Sequence, residues 1–141
     1  MQAHKLLTKE NHQDNILGEM TEIEKYLEEG RSYIESEDAV QASEKLYKGA
    51  EEAVKSLSRA YANGVWKEVE EKGRGTSPLL FKAADQIAGK LGGEIRNYWD
   101  TAWTLHVEGF HEARLNLDYV KKRVENIEKL VKLAETSNLN E

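Results

Sequence analysis

The sequence predicts an all-α protein, and three observations carry that prediction. The chain is 33% charged and 39% apolar and rich in Glu and Lys, too hydrophobic for a disordered polymer and suited to amphipathic helices. Only one proline stands in 141 residues, and proline is what helix interiors exclude. No stretch alternates apolar and polar residues as a half-buried strand does, whereas apolar residues recur at threes, fours and sevens along most of the chain. At this length one helical domain, residues 1–141, is expected.

The first helix is read from Asp14 onward. Ile16, Met20, Ile23, Leu27 and Ile34 repeat at helical intervals, with Gly30 in the vacant slot of the stripe and glutamates opposite. Residues 1–13 are polar and are expected to form a flexible lead. Glu35-Ser36-Glu37-Asp38 supplies a turn and a cap for a second helix, Ala39 to Ala62. Here the apolar pattern is widest: Ala39, Leu46, Ala53 and Ala60 form one column, Val40, Tyr47, Val54 and Tyr61 the next, and Ala50 and Leu57 fill between them. A stripe of that width faces neighbours on two sides, as the central helix of a bundle must. Asn63-Gly64 is expected to end it.

Val65 to Lys72 fits a short acidic helix carrying Trp66, closed by Gly73-Arg74-Gly75. Ser77 and Pro78 signal the next start, a serine cap followed by a residue whose missing N–H costs nothing in the first turn. Leu80, Ala83, Ala84, Ile87 and Leu91 line that helix, and Gly92-Gly93 turns the chain into a Trp-rich helix from Glu94 to about Gly109. The last helix starts near Asp118 and carries Val120, Val124, Ile127, Val131 and Ala134 to a polar tail, residues 136–141. Short connections imply that sequence neighbours pack antiparallel, an up-down bundle of about five helices. Heptad-like spacing in the first and last helices also suits a seam between two copies, so a homodimer is expected.

Composition excludes several function classes. Cysteine is absent, which removes disulfides and thiolate metal sites. The first ten residues lack the apolar run of a signal peptide, and no segment reaches the ~20 apolar residues that span a bilayer. The expected location is the cytoplasm, with no membrane partner. A net charge of -6 repels a phosphate backbone unless cations are gathered locally, which argues against broad non-specific binding of nucleic acid.

Two of the three tryptophans and two of the four histidines fall between Tyr98 and Arg114. On a helix from Glu94, at about 100° per residue, Ile95, Trp99, Ala102 and His106 share one arc. His106 then points at the core, either as an imidazole satisfied by a neighbouring helix or as the floor of a pocket. A second arc holds Arg96, Asp100, Val107, His111 and Arg114, with Arg96 and Asp100 spaced for an i,i+4 ion pair. If Gly109 breaks the helix instead, Phe110 tucks into the bundle while His111, Glu112 and Arg114 are presented at its end. That cluster joins a proton-transferring imidazole to a phosphate-clamping guanidinium. His-x-Glu-x-x-His, from His106 to His111, invites a metal reading, but α-helical residues five apart diverge by about 140°. No metal site and no cofactor is therefore expected. Lys121-Lys122-Arg123 reads as a solvated face, and Tyr47, Lys48 and Arg74 are further contributors to a shared site.

Ala42-Ser43-Glu44-Lys45-Leu46-Tyr47-Lys48-Gly49-Ala50-Glu51-Glu52-Ala53, then Gly73-Arg74-Gly75, then Trp99-Asp100-Thr101-Ala102-Trp103 and Leu105-His106-Val107-Glu108-Gly109-Phe110-His111-Glu112-Ala113-Arg114 resemble the archaeal PaREP family, over about Glu19 to Glu135. The resemblance implies a helical bundle similar to the HEPN superfamily, the higher eukaryotes and prokaryotes nucleotide-binding domains. Such domains are typically homodimeric, and many act as metal-independent ribonucleases or as partners of small nucleotidyltransferases in toxin–antitoxin pairs. The ribonuclease members carry an arginine about four to six residues before a histidine. No arginine here has a histidine at that distance downstream; Arg96 is too far before His106, and Arg114 follows His111.

The reading that results is a non-enzymatic HEPN-like homodimer. It binds a nucleotide, an RNA end or a protein partner through Trp99, Asp100, Trp103, His106, His111, Glu112 and Arg114, with Tyr47 and Lys48 alongside. The alternative is a metal-independent ribonuclease with His106 or His111 as acid/base and Arg114 stabilising phosphorane charge. A purely structural bundle, with His106 buried and His111 solvated, is the third expectation.

Overall fold

The computed structural model describes Gly18 and residues 21–139, and these residues form six helices with no strand among them. In chain order they are α1 (21–35), α2 (Ala39–Tyr61), α3 (Asn63–Lys72), α4 (Ser77–Leu91), α5 (Glu94–Thr104) continued by a π-helical segment (Leu105–His111), and α6 (Leu117–Leu139). The proposed lead at 1–13, the start at Asp14 and the stripe residues Ile16 and Met20 lie outside the described residues. α6 stays helical through most of the expected polar tail.

The wide apolar stripe of α2 is used as expected. α2 packs against α3, α4, α5, the π segment and α6, and Leu46, Ala50, Ala53, Val54 and Leu57 are buried at its centre. α1 lies on it through Gly30, where an added Cβ would come within 2.8 Å of the Leu46 side chain. The vacant slot in the α1 stripe is thus a contact point between helices. Contacts between α5 and α6 join Thr101 to Asn126, and the two helices run antiparallel, with Thr104 near Tyr119 and Ile95 near Leu133. The α6 seam of Val120, Ile127, Val131 and Ala134 is buried within the chain.

Several boundaries differ from the sequence expectation for local reasons. Asp38 does cap α2, its carboxylate accepting the Gln41 N–H at 3.0 Å. Asn63 and Gly64 belong to α3, because the break comes at Ala62, whose φ of -146° and ψ of 52° leave the helical region. α4 is entered through Thr76, with Ser77 already helical. Asn116, not Asp118, caps α6, accepting the Tyr119 N–H at 2.8 Å. Asp118 lies inside the first turn and pairs with Lys122 at 3.0 Å. Arg96 bonds to Asp85 of α4 at 2.6 Å instead of to Asp100.

The largest departure follows Thr104. The helix neither ends at Gly109 nor continues as α; it widens to i→i+5 bonding through His111, and Glu112 N–H reaches Val107 C=O at 2.9 Å. Ala113, with φ of 51°, then stops it. Gly109 is buried against α2 so closely that a Cβ there would meet Ser43 Oγ at 2.3 Å and Ser43 Cβ at 2.6 Å. Ser43 is itself fully buried and holds its hydroxyl on Ala39 C=O at 2.7 Å, so it has little freedom to yield. Gly109→Ala should therefore cost about 1–3 kcal/mol by over-packing and clearly less in a Ser43→Gly background, as measured by urea denaturation. An equal cost in both backgrounds would show that this contact does not hold the segment on α2.

Candidate functional site

The π segment decides where the histidines go. With bonding at i→i+5, residues five apart lie one above the other, as residues four apart do on an α-helix. His106 Nε2 and His111 Nε2 stand 3.1 Å apart, so the expected divergence of these two rings is overturned. His106 Nδ1 lies 3.3 Å from Glu44 Oε2 of α2. A carboxylate only accepts, so this contact assigns the proton of His106 to Nδ1 and turns the Nε2 lone pair toward the Nε2–H of His111. Glu44, His106 and His111 form one chain leading from the α2 interface to solvent: the side chains of Glu44 and His106 are 10% and 20% exposed, and His111 is exposed.

Aromatic rings fix this chain in place. Tyr47 stacks on His106 with centroids 4.0 Å apart, and Trp103 lies 5.4 Å from the same ring. Phe81 of α4 stands edge-on to Trp103 at 5.2 Å and is the exposed large hydrophobic residue among those described. The Tyr47 hydroxyl donates to Glu51 at 3.0 Å. Burial, reinforced by the Glu51 and Glu44 carboxylates, pushes the Tyr47 phenol far above its ordinary range, so it stays protonated and acts as a wall and a donor.

The other expected residues divide between places. Trp99 is buried between Tyr47 and Phe81, and its indole N–H has no hydrogen-bond partner among the described residues; it is core. Asp100 opens onto a cleft of about 430 Å³ between α5 and α6, lined also by Thr101, Thr104, Tyr119, Lys122 and Arg123. Glu29 of α1 is held below its ordinary range chiefly by the hydrogen bond from Lys45, with a lesser attraction from Lys48, which puts Lys48 on the α1 side of α2. Arg74 is exposed in the glycine break after α3. Glu112 and Arg114 are exposed beyond the π segment, where Arg114 grips Glu108 through both Nε and Nη2. The guanidinium expected to meet a phosphate is thus engaged inside the chain. Glu44 and Phe81 were missed by sequence reasoning. A signal for Glu44 existed, an acid three residues before Tyr47 and seven before Glu51 on one helical face, but none marked Phe81.

The chain is thus a helical bundle whose central helix holds a glutamate against a π-helical pair of histidines. The chain belongs to the archaeal PaREP1/PaREP8 family, whose model matches residues 19–131. It is similar to a Sulfolobus solfataricus protein of known crystal structure, 44% identical, with a TM-score of 0.77 over 82% of this chain and 95% of that one. A solution structure of the same structural-genomics target, SsR10, described as the Orf c02003 protein, gives a TM-score of 0.72 at 44% identity, over 82% of this chain and 90% of that one. No curated protein matches the chain. Among the described residues no helix is long and apolar enough to cross a membrane.

The Glu108 carboxyl titrates below its ordinary range, because the Arg114 guanidinium bonds to it and attracts its charged form. A depressed folded value means that the pair's contribution is present above the ordinary carboxylate range and is lost as pH falls through the folded value. NMR titration of the side-chain carboxyl should show this depression, shrinking in high salt and vanishing in Arg114→Gln. A midpoint unmoved by Arg114→Gln would mean the pair is not formed in solution.

Proposed function

We propose that the chain is a HEPN-like, non-enzymatic homodimer that binds a nucleotide or an RNA end at the face formed by Phe81, Trp103, His106 and His111. The observation that carries this reading is the aromatic ledge of Phe81 and Trp103 beside the imidazole pair. A base has a flat apolar face that stacks on such rings, and His111 Nδ1, the nitrogen of the pair that faces outward, accepts from an N–H on a base edge. Binding of this kind relies on stacking and directed hydrogen bonds. It suits a chain with a net charge of -6, whose Arg114 is held by Glu108. The homodimer rests on the resemblance to HEPN domains, and because the α6 seam packs within the chain, the second copy would sit elsewhere.

A second reading, the metal-independent ribonuclease, is favoured by the Glu44, His106 and His111 chain, since a carboxylate-oriented imidazole is equipped to move a proton. It requires Arg114 to leave Glu108 and stabilise charge on phosphorus. The two readings separate by experiment. A thermal-shift screen against nucleotides and short RNAs should raise the melting temperature, by mass action worth about 2.7 kcal/mol at a hundredfold excess over Kd. The rise should be lost in Trp103→Ala and His111→Ala but retained in Arg114→Ala. Loss with Arg114→Ala together with cleavage of the RNA would favour the ribonuclease. No shift with any ligand would sink the nucleotide reading and direct the search to a protein partner such as a small nucleotidyltransferase, with light scattering reporting whether the chain is dimeric.

A further inference from the structure

We propose that His106 and His111 together chelate a late first-row divalent cation, Zn(II), Ni(II) or Cu(II), with Glu44 as the carboxylate that orients His106 behind the metal. The Nε2 atoms are 3.1 Å apart. With metal–imidazole bonds of 2.0–2.1 Å, that separation subtends about 95–100° at the metal, between the octahedral and tetrahedral angles for neighbouring ligands. Two nitrogens therefore need almost no movement to share one cation.

The second shell fits as well. A histidine that ligates through Nε2 commonly donates its other N–H to a carboxylate, which sets the tautomer and raises the basicity of the ligating nitrogen. Glu44 stands in that relation to His106 Nδ1, at 3.3 Å. The rest of the His106 ring is held by Tyr47 stacked 4.0 Å away, so the ligand is preorganised before any metal arrives. In the metal-free arrangement the Nε2 proton of His111 lies between the two rings; on binding, His111 takes its other neutral tautomer, with the proton on Nδ1 facing water, and the cation occupies the place vacated at Nε2. Among the described residues no group of three or more His, Cys, Asp or Glu is placed to hold a metal ion. The site is consequently a two-imidazole chelate whose remaining positions face water, reached from the exposed His111 side. Imidazole donors select the late transition metals, and Mg(II) and Ca(II) lack the oxygen ligands they require.

This inference does not depend on nucleotide binding, because the cation alone is the probe. The full chain is titrated calorimetrically with Zn(II) and Ni(II) in a non-coordinating buffer, both as wild type and with His4→Gln and His12→Gln removing the two remaining histidines. One saturable site per chain is expected in both, with no heat from Mg(II). His111→Gln should abolish it; this side chain is exposed, so an unchanged melting temperature without metal confirms that the variant is folded. Glu44→Gln should keep the site but weaken it about 10–100-fold, a loss that distinguishes an orienting carboxylate from a bystander. Cu(II) should quench fluorescence from Trp103, whose ring lies 5.4 Å from His106, and His111→Gln should remove the saturable part of that quenching. Absence of saturable binding to the wild-type chain, or binding that survives undiminished in His111→Gln, overturns the proposal.

Discussion

The face that carries the imidazole pair depends on one close approach, the backbone of Gly109 against the buried side chain of Ser43. Any side chain there over-packs the contact, since even a methyl group would occupy the space of Ser43 Oγ. That contact seats the end of the fifth helix on α2 within the π-helical segment, whose wider turn takes in one more residue than an α turn. Neighbouring features follow from it. His106 is brought beside Glu44 and under Tyr47, and His111 is brought over His106. π-Helical turns are rare and recur at functional sites, and here the turn has a direct chemical consequence, the meeting of two imidazoles.

The electrostatics of the face are set by which charges are already engaged. Lys45 lies 2.8 Å from Glu29, Arg96 is bonded to Asp85, Lys122 to Asp118 and Arg114 to Glu108. Exposed pairs of this kind add little to stability, with a median of about 0–1 kcal/mol, but the last of them holds the cation nearest the imidazole pair in sequence. Hydrogen-bonding capacity near the aromatic ledge comes instead from imidazole nitrogens. Tyr47 serves both sides of this arrangement: its ring packs on Trp99 and His106, while its hydroxyl reaches Glu51 and ties the same stretch of α2 to a polar partner.

Helix identity was largely legible in the chain because it rests on local periodicity. The apolar columns of α2 announced a helix with neighbours on two sides, and the αL glycine at Gly73 closed α3 where the glycine break was read. Caps were less legible, since Thr76 and Ser77 are neighbours and Asn116 and Asp118 are two residues apart with similar chemistry; at α6 only the bond that Asn116 accepts from the Tyr119 N–H separates the two. The candidate site was half legible. The concentration of Trp and His marked the segment where the two imidazoles meet, yet an α-helical wheel placed His111 away from His106 and paired Arg96 with Asp100.

What the sequence by itself determined is the all-helical class, the central place of α2 and the family, since periodicity, composition and motif are properties of neighbouring residues along the chain. What only the tertiary structure decided is the junction of Glu44, His106 and His111, together with the diversion of Arg96 to Asp85 and of Arg114 to Glu108. These contacts link different helices or depend on how the π segment is pressed onto α2. An α-helical wheel assumes 3.6 residues per turn, and the packing of Gly109 on Ser43 accompanies a turn of another width.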